Sequence, residues 1–477
     1  MSSLAASILE LAILVLLVVG IALFRSPRGA RWGNAIAATA LFLAIALVMY
    51  RGDIQDPILL VVALLAGSLV GALVAMRVTM IQIPAMVAFQ HGAGGVAVSA
   101  IAFVELTRGG EPTSVLGVVS GLLGLILGSA TFSGSMLASA KLAAKIRQTP
   151  TVLPLHNLIL LLLLAGIAGL AIYASLASGL ALALALCGIL VLSILLGLVF
   201  AIRIGGADMP VLISFLNATA GLAAAFSGIL IQNRLLIACG ATVAASGSIL
   251  TAVMCKAMNR SFVKVLSGGK AAVGPQTGVR AEAPLAPQAR ITKTFAESMS
   301  EAKDVLRDAQ SVIIVPGYGM ALARAQFLVA DVAKRLQGMG KSVVFAIHPV
   351  AGRMPGHMNV LLAEADVDYE QLREMDDVNG AFVQTDAVLV VGACDVINPA
   401  ALNTTDTLIS GMPILNAHEA RRVLVCNLDE RPGYSGVPNP LYDQPTTLLL
   451  FGDGHATVTE LLESLPATAS GPKPRAA

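Results

Sequence analysis

The chain has 477 residues, of which 56% are hydrophobic and only 13% charged, and its mean hydropathy is +0.81. This composition excludes an ordinary soluble enzyme. The first 264 residues carry 14 Lys and Arg against 6 Asp and Glu, which leaves 17 against 23 for the remainder. A basic membrane half is therefore expected to precede an acidic soluble half, with no basic tract to indicate nucleic acid. The five cysteines form no CxxC pair, which argues against a disulfide framework and a zinc site.

Nine apolar runs near or above the ~18 residues of a spanning helix occur in the first half. The first run carries Glu10 and is followed by Arg25 rather than by a small-residue cleavage site, so we interpret it as a span and not as a signal peptide. The predicted spans cover roughly 4–24, 34–50, 57–76, 84–104, 115–136, 155–174, 179–202, 209–230 and 235–257.

Loop charges predict the orientation, because Lys and Arg accumulate on the cytoplasmic side of a membrane. One set of alternating loops holds twelve basic residues, whereas the other holds only Arg51, Arg108 and Arg234. We therefore expect the N-terminus outside and everything after the ninth span in the cytoplasm. Small residues at helical spacing predict close helix packing at Gly117, Gly121, Gly124 and Gly128, and at Gly67 with Gly71.

Three polar residues interrupt or flank the predicted spans. His91 lies in the middle of the fourth span, where an ionisable group is costly and an imidazole could relay protons; the alternative is a buried histidine bonded to a carbonyl. Asn217 lies in the eighth span and could orient water or join two helices. Asp208 lies at the cytosolic entrance of that span, where it fits an N-cap before Pro210.

The second half alternates short β-branched runs with helical patterns, which is typical of a parallel, doubly wound, Rossmann-like α/β sheet. We predict a transmembrane domain over 1–264, a flexible linker over 265–292, a nucleotide-binding domain over 293–466 and a disordered tail over 467–477. The strands are expected at 311–315, 342–347, 387–391, 422–425 and 447–451, and the helices at 294–308, 319–337, 357–365 and 455–464.

The first predicted strand runs into Gly317-Tyr318-Gly319, where a dinucleotide-binding turn belongs. The third glycine of that motif is missing, and no acidic residue ends the second strand. Arg353 offers a fork for a phosphate or is simply solvated. Four histidines without metal-ligand spacing are interpreted as structural or surface residues: His348, His357, His418 and His455.

Five phrases make a resemblance specific: GGADMP from Gly205, MCKAMNRSF from Met254, PGYGM from Pro316, IHPVAGRMPGHMNVLLAE from Ile347 and GMP from Gly411. With them the chain resembles the β subunit of proton-translocating nicotinamide nucleotide transhydrogenase over nearly its whole length. That resemblance implies a soluble domain that binds NADP(H) and a partner α subunit that binds NAD(H). It also implies direct hydride transfer coupled to inward proton movement, a location in the inner (cytoplasmic) membrane and a homodimer of αβ units.

The resemblance implies specific roles as well. It assigns the proton pathway and coupling to His91, Asn217 and Asp208. It assigns NADP(H) contacts to Gly317, Tyr318, Gly319, Val350, Ala351, Gly352, Arg353, Met354, Pro355, Gly392, Ala393, Cys394, Asp395, Val396, Gly411, Met412, Asn427, Asp429, Gly433, Tyr434 and Asp453.

The chain departs from the family pattern in two places. Cys394 replaces an asparagine, and Asn427 with Leu428 replaces a Lys-Arg pair. A 2′-phosphate is best held by Lys or Arg, whereas a carboxylate such as Asp429 accepts hydrogen bonds from a free ribose hydroxyl. We therefore expect weakened discrimination against NAD(H), unless Arg431 or the pair Arg421 and Arg422 compensates.

Two other functional classes stay open. A secondary transporter or channel could be gated by a cytosolic dinucleotide-sensing domain, but it would need a midplane cavity with broken spans or an inverted repeat. No repeat is visible in the sequence. A paralogue with altered catalysis would share the fold and lack the reaction; an α-type gene beside this one would favour the transhydrogenase.

Overall fold

The computed structural model describes residues 3–23, 27–51, 56–108, 114–146, 151–205, 208–258, 261–266, 294–354, 356–404, 407 and 409–466. The chain divides into two compact units. One combines Met1–Gly205 with Leu212–Thr251, and the other combines Gly206–Val211 with Ala252–Ala477. The predicted tail lies outside the described residues, as does the predicted linker apart from residues 265 and 266.

Nine long helices occupy the described residues up to position 257. Eight of them, α2 to α9, are long and apolar enough to cross a membrane. In α1 the apolar stretch Ser7–Leu23 is shorter, so the first predicted span stays a prediction. The helices are α1 Ser3–Leu23, α2 Pro27–Arg51, α3 Pro57–Arg77, α4 Ile83–Thr107, α5 Val115–Leu142, α6 His156–Leu176, α7 Gly179–Ile202, α8 Met209–Leu230 and α9 Arg234–Ala257.

Glycines bring α4, α5 and α7 into backbone contact. A Cβ on Gly95 of α4 would lie 2.6 Å from the carbonyl oxygen of Gly128 on α5. A Cβ on Gly197 of α7 would lie 2.1 Å from the carbonyl oxygen of Ala130 on α5. Side chains would keep these backbones apart, so the three helices depend on small residues at their contacts.

The predicted small-residue face of α5 is confirmed, because Gly121, Gly124 and Gly128 each lie against a neighbouring helix. The close contact predicted at Gly67 and Gly71 is not seen among the residues that the structure describes. A Cβ on either glycine would meet nothing within 4 Å, and α3 has no buried residue. Glycine spacing shows which face could pack closely but cannot show whether a helix lies against it.

The second unit contains a six-stranded parallel sheet in the order β3-β2-β1-β4-β5-β6, which confirms the predicted doubly wound fold. The strands are β1 Ser311–Pro316, β2 Ser342–Ile347, β3 Leu372–Glu374, β4 Ala387–Val391, β5 Val423–Cys426 and β6 Thr447–Leu449. The helices are α10 Phe262–Leu266, α11 Phe295–Asp308, α12 Tyr318–Leu322, α13 Gln326–Gly338, α14 His357–Glu364, α15 Met375–Val378, α16 Ala400–Asn403 and α17 Gly454–Ser464.

Buried aliphatic side chains hold the sheet together. All five residues of β4 are buried, and Val388, Val390, Val423 and Val425 share one core cluster with Phe382. Central strands of a parallel sheet are covered on both faces, which is why they are continuously apolar. The glycine turn after β1 and the loop after β4 then lie at the point where the strand order reverses.

Two sequence predictions about this unit are wrong. The single helix expected over 319–337 is two helices, α12 and α13, because the backbone turns at Arg324 with φ 53°. The apolar spacing continues across Arg324, so the sequence pattern gave no sign that the helix breaks there. The edge strand β3 was missed because its three residues are polar or half-exposed and form no apolar run. The other predicted strands and helices agree with the structure to within two residues.

Candidate functional site

The carboxyl ends of β1 and β4 meet at the point where strand order reverses, which is where doubly wound folds bind ligands. Gly317 N donates a hydrogen bond to the carbonyl oxygen of Val391, and Gly319 N donates to that of Gly392, both at 2.8 Å. Gly392 has φ 68°, and a Cβ on it would lie 2.1 Å from Met320 N. Glycine is required here because any side chain would separate the two turns.

His348 joins two of the predicted nucleotide-binding segments. Its Nδ1 accepts a hydrogen bond from Val350 N at 3.2 Å, and its Nε2 donates to the carbonyl oxygen of Pro413 at 2.8 Å. Pro413 directly follows Gly411 and Met412. Burial lowers the pKa of His348 to about 4, so the ring is neutral near pH 7 and can accept at one nitrogen while it donates at the other.

Arg353 lies between two tyrosine rings. Its guanidinium carbon is 4.4 Å from the ring centre of Tyr318 and 5.2 Å from that of Tyr434, and its Nη2 donates to the Tyr434 hydroxyl. Only 6% of Arg353 is exposed, which excludes the interpretation of a solvated loop residue. Cation–π contacts with both rings hold this planar cation beside the glycine turn.

His357 belongs to the same cluster, although the sequence gave it no site role. Its ring lies 6.1 Å from that of Tyr318, and its Nδ1 accepts a hydrogen bond from Arg353 N at 3.1 Å. Burial, and then the charge of Arg353, lowers its pKa to about 4. Its Nε2 is buried without a hydrogen-bond partner among the described residues. Of the two interpretations given to the histidines, structural or surface, burial supports the structural one for His357. Its place within the eighteen-residue phrase is the signal that could have brought it into the site.

Asp395 fastens the loop after β5 to the loop after β4. Its carboxylate accepts hydrogen bonds from Ser435 Oγ at 2.6 Å and from Ser435 N at 3.1 Å. Gly433 lies so close that a Cβ on it would be 2.6 Å from Asp395 Oδ2. Asp395, Gly433 and Tyr434 therefore lie close together, and the carboxylate of Asp395 holds the loop. Ser435 was not singled out from the sequence.

Asn427 is buried at the end of β5. Its Nδ2 donates to the carbonyl oxygen of Ala393 at 2.9 Å and to the hydroxyl of Tyr442 at 2.8 Å, so the amide supports the loop after β4. Leu428, in contrast, is 73% exposed. Arg431 pairs with Asp429 at 3.4 Å, and both side chains reach solvent. The loop therefore presents one basic side chain, and a neighbouring carboxylate already contacts it.

The remaining predicted nucleotide contacts differ in their surroundings. Asp453 is exposed and caps α17, where its Oδ1 accepts a hydrogen bond from Ala456 N at 2.9 Å. Cys394 is half-buried, and burial raises the pKa of its thiol. Pro355 lies outside the described residues. The other four lie in the loops after β2 and β4: Ala351, Gly352, Met354 and Val396.

His91 lies on α4, directly before a residue that packs against α5. A Cβ on the next residue, Gly92, would lie 3.2 Å from the Cβ of Ser135 and 2.3 Å from the end of the Met136 side chain. The Nδ1 of His91 is buried without a hydrogen-bond partner among the described residues. The interpretation of a histidine bonded to a carbonyl through this nitrogen is therefore not supported.

Asn217 lies on α8, two residues before Thr219. The hydroxyl of Thr219 accepts a hydrogen bond from that of Thr131 of α5 at 2.9 Å. The residues that contact α5 near His91 and near Asn217 therefore meet it within the same two turns, from Thr131 to Met136. Asp208 directly precedes α8, with Pro210 in the first turn, at the position predicted for an N-cap. No group of three metal-ligating side chains occurs in the described ranges.

The sequence model of the family described as NAD(P) transhydrogenase beta subunit matches residues 6–464. The chain is 37% identical to NAD(P) transhydrogenase subunit beta of Rhodospirillum rubrum over 459 residues, which cover 94% of this chain and 97% of that protein. A protein of the same name from Rhodospirillum rubrum strain ATCC 11170 matches to the same extent. The resemblance carried by the five phrases is confirmed.

Proposed function

The chain belongs to the NAD(P) transhydrogenase beta subunit family, and from that premise we propose that it couples hydride transfer to inward proton translocation. In this proposal NADP(H) binds to its sheet domain, and NAD(H) binds to a partner α subunit. The observation that carries it is the combination, in one chain matched from residue 6 to 464, of a glycine turn at the switch point and a buried imidazole in an apolar helix.

The groups at the switch point fit a dinucleotide. Gly317 and Gly319 let the turn after β1 pack directly against the loop after β4, and Arg353 supplies a planar cation suited to a phosphate. Tyr318 and Tyr434 offer aromatic faces beside that cation. The nicotinamide, when bound, gives or takes the hydride, which is the cofactor's own chemistry. The chain's part is to bind and orient the nucleotide and to exclude water.

We assign the protonatable group of the membrane helices to His91, with Asn217 on α8 as a second polar group and Asp208 in the coupling segment before α8. A buried imidazole nitrogen without a fixed partner is free to accept a proton or a water molecule. His91→Ala should abolish proton movement and strongly reduce the coupled reaction. Asn217→Leu should impair both without changing nucleotide affinity.

The test is co-expression with an α subunit, followed by measurement of nucleotide reduction and lumenal pH in the same sealed vesicles. The exposed His455→Ala serves as the matched histidine control and should behave like the unaltered chain. Undiminished proton movement by His91→Ala would contradict the assignment. Proton movement that needs no nucleotide reduction would favour the transporter class instead.

The proposal also includes the orientation of the chain in the membrane and its assembly with other subunits. The chain is a multi-pass membrane protein, and we propose from the family resemblance that it lies in the inner membrane. The loop charges support an N-terminus outside and a sheet domain in the cytoplasm. Protease added to inside-out vesicles should therefore digest residues 294–466. Protection of that region would refute the orientation. The proposed assembly is a homodimer of αβ units.

We further propose that discrimination against NAD(H) is relaxed. The loop after β5 buries Asn427 in contacts with the protein, exposes the apolar Leu428 and pairs Arg431 with Asp429. A 2′-phosphate therefore finds little uncompensated positive charge on this loop, whereas each charge-assisted hydrogen bond to it would contribute about 1.5–3 kcal/mol.

Leu428→Arg tests this directly, because it adds a cation at an exposed position without disturbing a buried contact. It should raise the affinity for NADPH about tenfold relative to NADH, as measured by titration calorimetry of the purified chain at fixed ionic strength. Val383→Arg makes the same charge change on an exposed residue four positions before β4, at its opposite end, and should leave the ratio unchanged. A thousandfold preference for NADPH in the unaltered chain would overturn the proposal.

A further inference from the structure

A lysine is buried at the end of α5. Lys141 is only 2% exposed, and its Nζ donates hydrogen bonds to the carbonyl oxygens of Ile202 at 2.6 Å, Ile204 at 2.8 Å and Ala201 at 3.4 Å. An ammonium has three protons, so these three carbonyls use all of them. Its partners in the described part of the chain are all backbone oxygens.

Those oxygens belong to the carboxyl end of α7, which ends at Ile202. The last carbonyls of a helix have no partner within the helix, and the helix dipole makes this end partially negative. A buried cation that donates to them gives these carbonyls a hydrogen-bond partner and also balances the negative end of the dipole. Lys141, which belongs to α5, therefore caps the carboxyl end of α7.

Neighbouring groups secure the same end. Thr151 N donates to the Ile202 carbonyl oxygen at 3.2 Å, and Arg203 Nη1 donates to Asn157 Oδ1 at 3.3 Å. Upstream, Gly197 packs against the backbone of Ala130 on α5. The last turns of α7 are thus held against α5, first at Gly197 and finally at Lys141.

The chain leaves this cap directly into the segment that carries Asp208 and then α8 with Asn217. We infer that Lys141 is a positioning residue of the coupled reaction: its ammonium fixes where α7 ends, and so fixes the start of the segment through which the membrane helices and the nucleotide domain are coupled. This inference rests on the proposed function for its consequence, but the cap itself can be tested without any activity.

The activity-independent test is limited trypsin digestion of the purified full chain in detergent. Arg203 is buried, and cleavage after it should rise at least tenfold in Lys141→Met, relative to cleavage after the exposed Arg324, between α12 and α13, as an internal reference. Lys141→Arg keeps a donor cation and should stay within threefold of the unaltered chain. If Lys141→Met does not accumulate, Lys141→Gln, with two amide protons, should show an intermediate rate.

Lys341 provides a matched control, because it is also a buried lysine that caps a helix from outside. Its Nζ donates to the carbonyl oxygens of Arg307 and Ala309 at the end of α11, in the sheet domain. Lys341→Met should weaken that domain and leave the cleavage rate after Arg203 unchanged.

The second readout is the number of protons moved per hydride transferred, in vesicles with an α subunit. Lys141→Met should lower this ratio at least fivefold while NADPH affinity stays the same, and Lys141→Arg should restore it. A purely structural role would lower both rates in proportion and would overturn the coupling claim. Unaltered cleavage after Arg203 in both Lys141→Met and Lys141→Gln would overturn the cap. If the unaltered chain moves no protons, the proposed function fails and the digestion rates alone decide the cap.

Discussion

The helices of the membrane unit and the strands of the sheet domain achieve close packing by different means. Where α4, α5 and α7 meet, glycines remove the side chains, and backbone contacts backbone at Gly95 and Gly197. In the sheet, large aliphatic side chains fill the core, and glycine-mediated contact is concentrated at the switch point. Lipid tails are as apolar as leucine, so burial drives the second kind of packing but not the first.

The comparison bears on where each unit can tolerate change. In the sheet domain the backbones touch at the candidate site, where Gly392 meets the turn after β1. In the membrane unit close backbone contacts occur at several positions of α5, including Gly128 and Ala130. Four predictions test this difference, and they follow in order of decreasing effect on stability.

Gly392→Ala should have the largest effect. The new Cβ would meet Met320 N, and the residue would have to keep a positive φ. Overpacking and backbone strain together should lower the free energy of unfolding by about 3–5 kcal/mol. Gly340→Ala isolates the strain, since Gly340 also has a positive φ (83°) but open space around it, and should cost about 1–2 kcal/mol. Amide hydrogen exchange of β1 and β4 measures both; equal losses would mean that the contact does not matter.

The pH dependence of the sheet domain should come next. His348 has a pKa of about 4 when folded and 6.5 as an ordinary histidine, so the folded state is fully stable above pH 6.5. As the pH falls from 6.5 to 4, the unfolded chain binds a proton that the folded chain does not, and up to about 3 kcal/mol is lost. Urea unfolding at pH 7.5 and pH 5 measures this loss.

His348→Gln should flatten that dependence, whereas His455→Gln, on an exposed position of α17, should leave it as it is. His357 is displaced in the same direction for the same cause and adds to the slope. Stability that rises as the pH falls through this range would contradict the assignment of both rings as neutral and buried.

Gly95→Ala tests the membrane side of the comparison. Its Cβ would lie 2.6 Å from the carbonyl oxygen of Gly128, so α4 and α5 would have to separate, at a cost of about 1–3 kcal/mol. Gly94→Ala, on the adjacent residue, meets nothing within 4 Å and should be neutral. The midpoint of thermal unfolding, measured for each purified variant in detergent, compares the two stabilities. A tolerated Gly95→Ala would show that the helices have room to move apart.

Arg431→Ala should have the smallest effect on stability. The guanidinium and Asp429 are both exposed, and such pairs contribute less than about 1 kcal/mol. Urea unfolding should therefore detect almost no change, and Asp429→Ala should match it. If Arg431→Ala lowered the free energy of unfolding by more than Gly95→Ala does, this exposed ion pair would matter more than a glycine contact between helices, and the comparison between the units would fail.

The buried lysines show a further parallel between the units. Lys141 closes the end of α7 and Lys341 closes the end of α11, in each case by donating to carbonyl oxygens of a helix to which it does not belong. Neither was noticed in the sequence, because a lysine near a helix end looks the same whether it turns to solvent or to a neighbouring carbonyl. Only the packed neighbour decides.

The sequence by itself determined the division into an apolar and an acidic half, the apolar helices, the parallel sheet and the family. These follow from periodicity, composition and phrases that are local in the chain. It could also place the glycine turn after β1, because the turn directly follows an apolar strand. Side-chain direction was beyond its reach.

Which side chains contact one another became clear only from the packed structure. It places His357 beside Tyr318, Asp395 in hydrogen bonds with Ser435, Asn427 in a hydrogen bond with the carbonyl of Ala393, and Thr131 of α5 against Thr219 of α8. Each pairing joins residues distant in the chain, and their contact depends on the strand order and on helices that can approach only where side chains are absent. Local patterns cannot carry that information, because it arises when the elements pack.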